Sequence, residues 1–342
     1  MAISVRDVAD DAGVSVGTVS NVLNRPEKVS PDTVARVLAS IERLGFVRND
    51  AARQLRAGRS RTIGLVVLDV RNPFFTEVAR GAESRAAEHG LSVLVANSDD
   101  KHDRESTYLD LFEEQRVFGV LVTPVSENLP RLMRMRDHGI PTVLVDRESH
   151  DASFASVAVD DVEGGRIAAE HLLSIGRRRI AFVGGPVTIR QVADRLAGAQ
   201  AAIGAADGRL EFIGTDALTV EEGRRAGRGI LARDPRDRPD AVFAANDLLA
   251  LGLLQSIVML PGSSTAADGR GRVRVPGDIA LIGYDDIDFA SSAVIPLSSV
   301  RQPAELIGST AVDLLLEIER GERPREHVVF QPELVVRGST GG

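Results

Sequence analysis

From residue 62 onward the chain repeats one pattern, short runs of aliphatic residues separated by helix-length stretches. TIGLVVL, LSVLVA, FGVLVT, TVLV, SVAV, RIAFV, AVFA and IALIGY are continuously apolar rather than alternating. A strand with one wet face alternates. A strand covered on both faces does not, because neither of its side-chain rows meets water. The pattern therefore predicts parallel sheets built from βαβ units, and the region is long enough for two doubly wound lobes. DDVEGG at 160–165 marks the expected boundary between them, and PGSSTAADGRGR at 261–272 reads as an exposed loop.

The first 60 residues carry a different signal. Ser4 is placed to cap a helix through Val5, Val8 and Ala9 that stops at Ala12-Gly13. Ser15 is placed to cap a second helix from Val16 to Leu23. Ser30-Pro31 starts a third, with Val34, Val37, Leu38, Ile41 and Leu44 on one face and Gly45 as its end. Two short helices joined by a tight glycine-containing turn, supported by a third, form the helix-turn-helix pattern. The charge divides at the same place. Residues 1–62 carry net +3 and the remainder −11, within a total of −8. A basic head on an acidic body directs the head toward a polyanion. Behind it, RNDAARQLRAGRSR at 48–61 holds five arginines, one acid and a single large aliphatic residue, Leu55. On composition alone that segment reads equally as a charged linker.

The usual enzymatic signatures are missing. Neither lysine of the chain stands in a P-loop, no GxGxxG opens a helix after a strand, and no GxSxG elbow follows a strand, the GVSVG at 13–17 falling at the turn between two expected helices. There is no cysteine, and the histidines at 89, 102, 138, 150, 171 and 327 are not paired at metal-ligand spacing. No apolar run approaches the roughly 20 residues of a membrane span, and MAISVRDVADD lacks the apolar core of a secretory signal. The expectation is a cytoplasmic binding protein without metal or cofactor.

Taken in order, VRDVADDAGVSVGTVSNVLN, VSPDTVARVLASIERLGFVRN, AARQLRAGRSRTIGLVV, NPFF at 72–75, AND at 245–247 and GYDD at 283–286 resemble the LacI/GalR family of bacterial transcriptional repressors. The likeness runs over essentially the whole chain. It implies an all-α helix-turn-helix head at 1–47, a hinge at 48–61, and an α/β body of two doubly wound lobes of periplasmic-binding-protein type. The N-terminal lobe is expected at 62–162 plus 291–325, and the C-terminal lobe at 163–290 plus 326–342.

The resemblance also assigns roles. The second helix would enter the major groove of pseudo-palindromic double-stranded operator DNA, with Gly17, Thr18 and Asn21 outward and Val16, Val19, Val22 and Leu23 inward. Val16, at the helix start, can instead lean out toward a thymine methyl. Thr18 and Ser20 suit phosphate or base edges, and Asn21 suits a bidentate contact to adenine where relatives usually place arginine. Ser4, Ser15, Asn24 and Ser30 complete the head's expected DNA-facing set. Asn49, Ala52, Arg53, Leu55 and Arg56 belong to the hinge, with Leu55 as a wedge for a central base step.

Between the lobes the resemblance implies an effector site of Asn72, Phe74, Phe75, Asp146, Arg147, Arg195, Asn246, Asp285 and Gln302. Carboxylates accept hydroxyl protons, arginine and amides donate back, and a phenyl ring covers the apolar face of a sugar. The set suits a neutral polyol, with ribose or another pentose as the leading expectation and a purine or nucleoside as the alternative. A sugar-binding transport protein would share the body but not the basic head. The C-terminal LVVRGSTGG carries no leucine heptads, so a homodimer is expected rather than a tetramer.

Overall fold

The computed structural model describes residues 3–46, 60–125, 130–148, 154–259, 273–322 and 327–341. The chain divides into two units, Met1–Arg59 and Ser60–Gly342. The hinge residues Asn49, Ala52, Arg53, Leu55 and Arg56, and the loop at 261–272, lie outside the described residues.

In the first unit, α1 (Val5–Ala12), α2 (Val16–Asn24) and α3 (Pro31–Leu44) enclose a small core of Val8, Ala9, Ala12, Val19, Val22, Val37 and Phe46. Ser4 and Asp7 form a reciprocal capping box at the start of α1. Gly13 and Gly45 adopt the left-handed conformation, both at φ 63°, that ends α1 and α3. Two local expectations fail. Ser30 precedes α3 but makes no side-chain bond to the helix backbone, because its hydroxyl donates to Thr33 Oγ1 instead. Leu38, expected on the buried face of α3, is half-exposed, because the three-helix core is filled by Val34, Val37, Ile41 and Leu44.

Among the described residues the second unit contains two six-stranded sheets. The first is built from β1 (Thr62–Val67), β2 (Ser92–Asn97), β3 (Gly119–Val122), β4 (Thr142–Val145), β5 (Ala155–Val159) and β11 (His327–Phe330). Its order is β11-β5-β4-β3-β1-β2, all parallel. The second is built from β6 (Arg179–Gly184), β7 (Arg209–Gly214), β8 (Ala241–Ala244), β9 (Ala280–Asp285), β10 (Ser298–Arg301) and β12 (Glu333–Val335). Its order is β12-β10-β9-β8-β6-β7, with only β12 antiparallel. Central strands such as β3, β4, β5 and β8 are buried throughout, as continuous apolar runs require.

The lobes are assembled differently from the expected ranges. Ser298–Arg301, expected in the first lobe, pairs with β9 in the second sheet, and His327–Phe330, expected in the second, pairs with β5 in the first. The chain thus passes between the sheets three times, after β5, after β10 and between β11 and β12. Sequence order alone does not reveal such crossings, because a short strand pairs with whichever edge its crossover reaches.

Helices cover both sheets, and three pairs of them cross at facing glycines. They are α4 (Pro73–Glu88) with α12 (Ala304–Glu319), α7 (Asp161–Ser174) with α8 (Arg190–Gly204), and α9 (Val220–Leu231) with α10 (Asp247–Met259). A Cβ on Gly81 would stand 2.0 Å from Glu305 O, and one on Gly308 would stand 1.9 Å from Val78 O. Gly165 and Gly198 meet Arg195 O and Val162 O in the same reciprocal way, as Gly223 and Gly252 meet Leu249 O and Val220 O. The obstacles are backbone atoms, so no rotamer change relieves them. Among the described residues no helix is long and apolar enough to cross a membrane.

Candidate functional site

Two surfaces carry the expected recognition residues, and each follows from local chemistry. In the head, Ser15 Oγ accepts a hydrogen bond from Thr18 N at 3.1 Å and lies 2.9 Å from Thr18 Oγ1. The cap therefore fixes the first turn of α2, the end expected to lead into a groove. Val19 and Val22 are buried, Gly17 and Asn21 are exposed, and Thr18 and Ser20 are partly exposed. Val16 keeps 44% of its surface in water, so of its two expected positions it takes the outward one. Asn24 turns back on its own helix, its Nδ2 donating to Ser20 O at 2.8 Å.

The second surface is a narrow cleft between the two sheets, open to solvent. It lies at the carboxyl ends of the parallel strands, beside the points where strand order reverses in each sheet, which is where open α/β sheets bind ligands. Leu68 and Asp69 follow β1, Asp146 follows β4, Asn246 follows β8 and Asp285 ends β9. Asn72, Phe74, Phe75, Asp146, Arg195, Asn246 and Asp285 all line it, and each is less than a tenth exposed. The two phenyl rings meet edge to face at 5.1 Å.

The polar groups are bound to one another. Asn72 Nδ2 donates to Asp285 Oδ2 at 2.9 Å, and Gln302 Nε2 donates to Asp285 Oδ1 at 2.7 Å. Arg195 Nε donates to Asp161 Oδ1 and Nη1 to Ala245 O, both at 2.7 Å, while its guanidinium lies 3.6 Å from the centre of the Tyr284 ring. That stacking is possible because Gly164 leaves room for Tyr284 against α7. Gln191 Nε2 donates to Asp146 O at 2.6 Å and to Oδ2 at 2.9 Å. Asn246 is held at the start of α10, accepting from Leu249 N and donating to Leu218 O.

Burial governs the ionisation. It pushes Asp285 up to about 6, with Arg195, Asn72 and Gln302 pulling the other way. Burial raises Asp146 well above the usual carboxylate range, and Asp161 reinforces the shift while Arg195 opposes it. Asp100, at the mouth of the cleft, is pushed up to about 6 by burial and by the neighbouring Asp69 and Asp99. Two buried acceptors, Asp146 Oδ1 and Gln302 Oε1, have no hydrogen-bond partner among the described residues. A polyhydroxylated ligand supplies such atoms with donors.

Two expected members stand elsewhere. Arg147 is half-buried in an adjoining depression with Pro124, Thr188 and Arg190, beyond the left-handed turn that the chain makes at Asp146 after β4 ends. Gln302 lines an outer groove and reaches the cleft only through Asp285. Gln191, Ile189 and Leu218 line the cleft and were not expected there, and Asp161 stands behind it as the partner of Arg195. Gln191 carried one legible signal, its position one helical turn before Arg195 on the same face of α8.

Residues 4–49 match the family described as bacterial regulatory proteins, lacI family, and residues 169–340 match a periplasmic binding protein-like domain. The chain is 32% identical to the ribose operon repressor of Escherichia coli, over 98% of this chain and 99% of that one. It is also 32% identical to the HTH-type transcriptional repressor PurR of Aliivibrio fischeri, over 98% of each. Among solved structures, a Lac repressor dimer bound to operator and an anti-inducer is similar at a TM-score of 0.81 and 26% identity, with 99% of both chains covered. A LacI family regulator from Enterococcus faecium with bound ribose matches at a TM-score of 0.71 and 26% identity, covering 82% of this chain and 98% of that one.

Proposed function

The chain belongs to the lacI family of bacterial regulatory proteins, and from that premise we propose that it is a homodimeric repressor whose hold on operator DNA is set by a neutral sugar, ribose or another pentose, bound between its lobes. The observation that carries the sugar assignment is the buried Asp285, fixed from two sides by Asn72 and Gln302 in a cleft that also contains the unpaired Asp146 Oδ1. Hydroxyl donors satisfy the carboxylates, Arg195 and Asn246 answer the sugar oxygens, and Phe74 and Phe75 cover its apolar face. The relatives named for the ribose operon and the neighbour with bound ribose support the same class. The head reads DNA through the exposed side of α2, with Val16, Gly17, Thr18 and Asn21 leading.

Ligand and operator bind the same chain and act on one linked equilibrium, so each must change the other's affinity by the same factor. The relative named PurR supports a second reading, a purine effector in the same cleft. Isothermal titration of the full chain with pentoses, hexoses, nucleosides and purine bases, with and without the DNA upstream of its own coding sequence, decides between them. Pentose binding whose affinity shifts with operator is the expected result. Binding of a purine base alone overturns the sugar assignment, and identical affinity with and without operator overturns the linkage.

A further inference from the structure

The lobes touch through a reciprocal pair of hydrogen-bonded bridges. An amide of the first lobe, Asn72, donates to a carboxylate of the second, Asp285, and an amide of the second lobe, Gln191, donates to a carboxylate of the first, Asp146. Asn72 also accepts from Phe74 N and so has a local duty in starting α4. Gln191 has none. Its side chain is buried, and both of its bonds, at 2.6 and 2.9 Å, go across the cleft to one residue. The recipient, Asp146, sits at φ 55°, in the left-handed region where a turn sets the direction of its side chain. With Oδ2 engaged by Gln191, Asp146 keeps its other oxygen, Oδ1, buried and without a partner.

We propose that Gln191 is a positioning residue with two linked effects: it clasps the lobes together before any effector arrives, and it presents Asp146 Oδ1 to an effector hydroxyl. An amide N–H₂ and a sugar hydroxyl are both donors to a carboxylate, so Gln191 already makes one of the cross-cleft bonds that a ligand otherwise has to provide. The effector then fills a cleft whose halves are in register, rather than drawing two separated lobes together. The second effect rests on the sugar reading given above. The first does not.

The test uses the full-length protein and two variants. Gln191→Leu keeps the bulk of the side chain and removes both donors. Gln191→Glu replaces the donors with a carboxylate facing a carboxylate, which bridges only when a proton is shared. Small-angle scattering of the sugar-free proteins is expected to give the wild type a radius of gyration that D-ribose barely alters. Gln191→Leu is expected to give a larger radius that shrinks with saturating ribose, and a ribose affinity about tenfold weaker. Gln191→Glu should resemble Gln191→Leu at pH 8 and approach the wild type at pH 5, a dependence that loss of packing does not produce. Sugar-free wild type that contracts as far as Gln191→Leu, or a Gln191→Glu protein indifferent to pH, overturns the clasp. If no pentose binds either protein while the sugar-free radii still differ, the clasp stands and the sugar reading falls.

Discussion

The helical head and the interlobe cleft place their recognising side chains in opposite environments. In the head, Gly17 and Asn21 are exposed and make no contact that the three-helix core depends on. In the cleft, Asp146, Arg195, Asn246 and Asp285 are at most 6% exposed and bonded within the body. The difference teaches where recognition is separable from stability. A head residue can change the sequence it reads without disturbing the fold. A cleft residue is at once a ligand contact and a support for its neighbours, so changes there are felt in both.

The hardest test of that contrast is Arg195→Met. Removing the one buried cation among the described residues leaves Asp161 without its partner and Asp146 and Asp285 without the charge that opposes their burial. The expected loss is about 3–5 kcal/mol in the urea unfolding of the body. A loss under about 1 kcal/mol, within the range of an ordinary surface change, would put the cleft in the same class as the head.

Asp285→Asn tests the binding side of that double role inside the cleft. Both Asp285 oxygens already accept amide N–H groups, so the Asn amide meets a donor whichever way it turns. Sugar affinity is expected to fall by about 1.5–3 kcal/mol while sugar-free operator binding persists, read by calorimetry and gel shift. The same carboxyl predicts a pH dependence. Its folded-state value is raised to about 6, so the protonated form contributes stability that is lost as pH rises through that value. Hydroxyl donors favour the ionised form, so sugar binding should strengthen as pH rises from 5 to 7 by about tenfold per unit below the midpoint and level off above it. A flat profile in the wild type would exclude Asp285 as the acceptor.

Asn21→Ala probes the other side of the comparison. Operator affinity should drop by about 1–3 kcal/mol with specificity relaxed at one base pair, while thermal stability moves by less than about 0.5 kcal/mol. An equal loss on operator and random DNA would reduce Asn21 to a backbone contact. The smallest effect belongs to Ser15→Ala, where the comparison blurs, since the residue caps α2 and also belongs to the surface expected to face DNA. Loss of the cap costs about 1 kcal/mol of head stability. Thr18, freed from its partner 2.9 Å away, should show the change as faster amide exchange in the first turn of α2.

How much of this was legible in the sequence divides along physical lines. Every apolar run from TIGLVVL to IALIGY falls in or around a strand, but LSVLVA is not buried on both faces as its pattern predicts, because β2 lies at the edge of its sheet with Leu94 and Val95 exposed. RLEFIG at 209–214, at an edge of its sheet with no residue fully buried, reads like any mixed segment. SSVR, HVVF and ELV are three or four residues long and carry too little pattern to be placed before their neighbours are known. The site followed the same logic. Asp146, Asn246 and Asp285 stand at the ends of recognisable strands, whereas Gln191 and Asp161 are a polar residue on a helix and an acid at a helix start, types that face water in most proteins. Gln191 is buried against Asp146 of the other lobe and Asp161 against Arg195 of its own, contacts that a linear reading does not reveal.

The facing glycines have a consequence for motion. Where one backbone lies directly on another, there are no side chains to shear past one another, so paired helices on a sheet travel as one piece. Each lobe then behaves like the solid jaw of a caliper, and opening is left to the three short strands of backbone that join the jaws, near residues 160, 302 and 331. One of these is wired to the bite itself, because Gln302 reaches from the pivot to Asp285. Whatever grips that carboxylate also pulls on the axle.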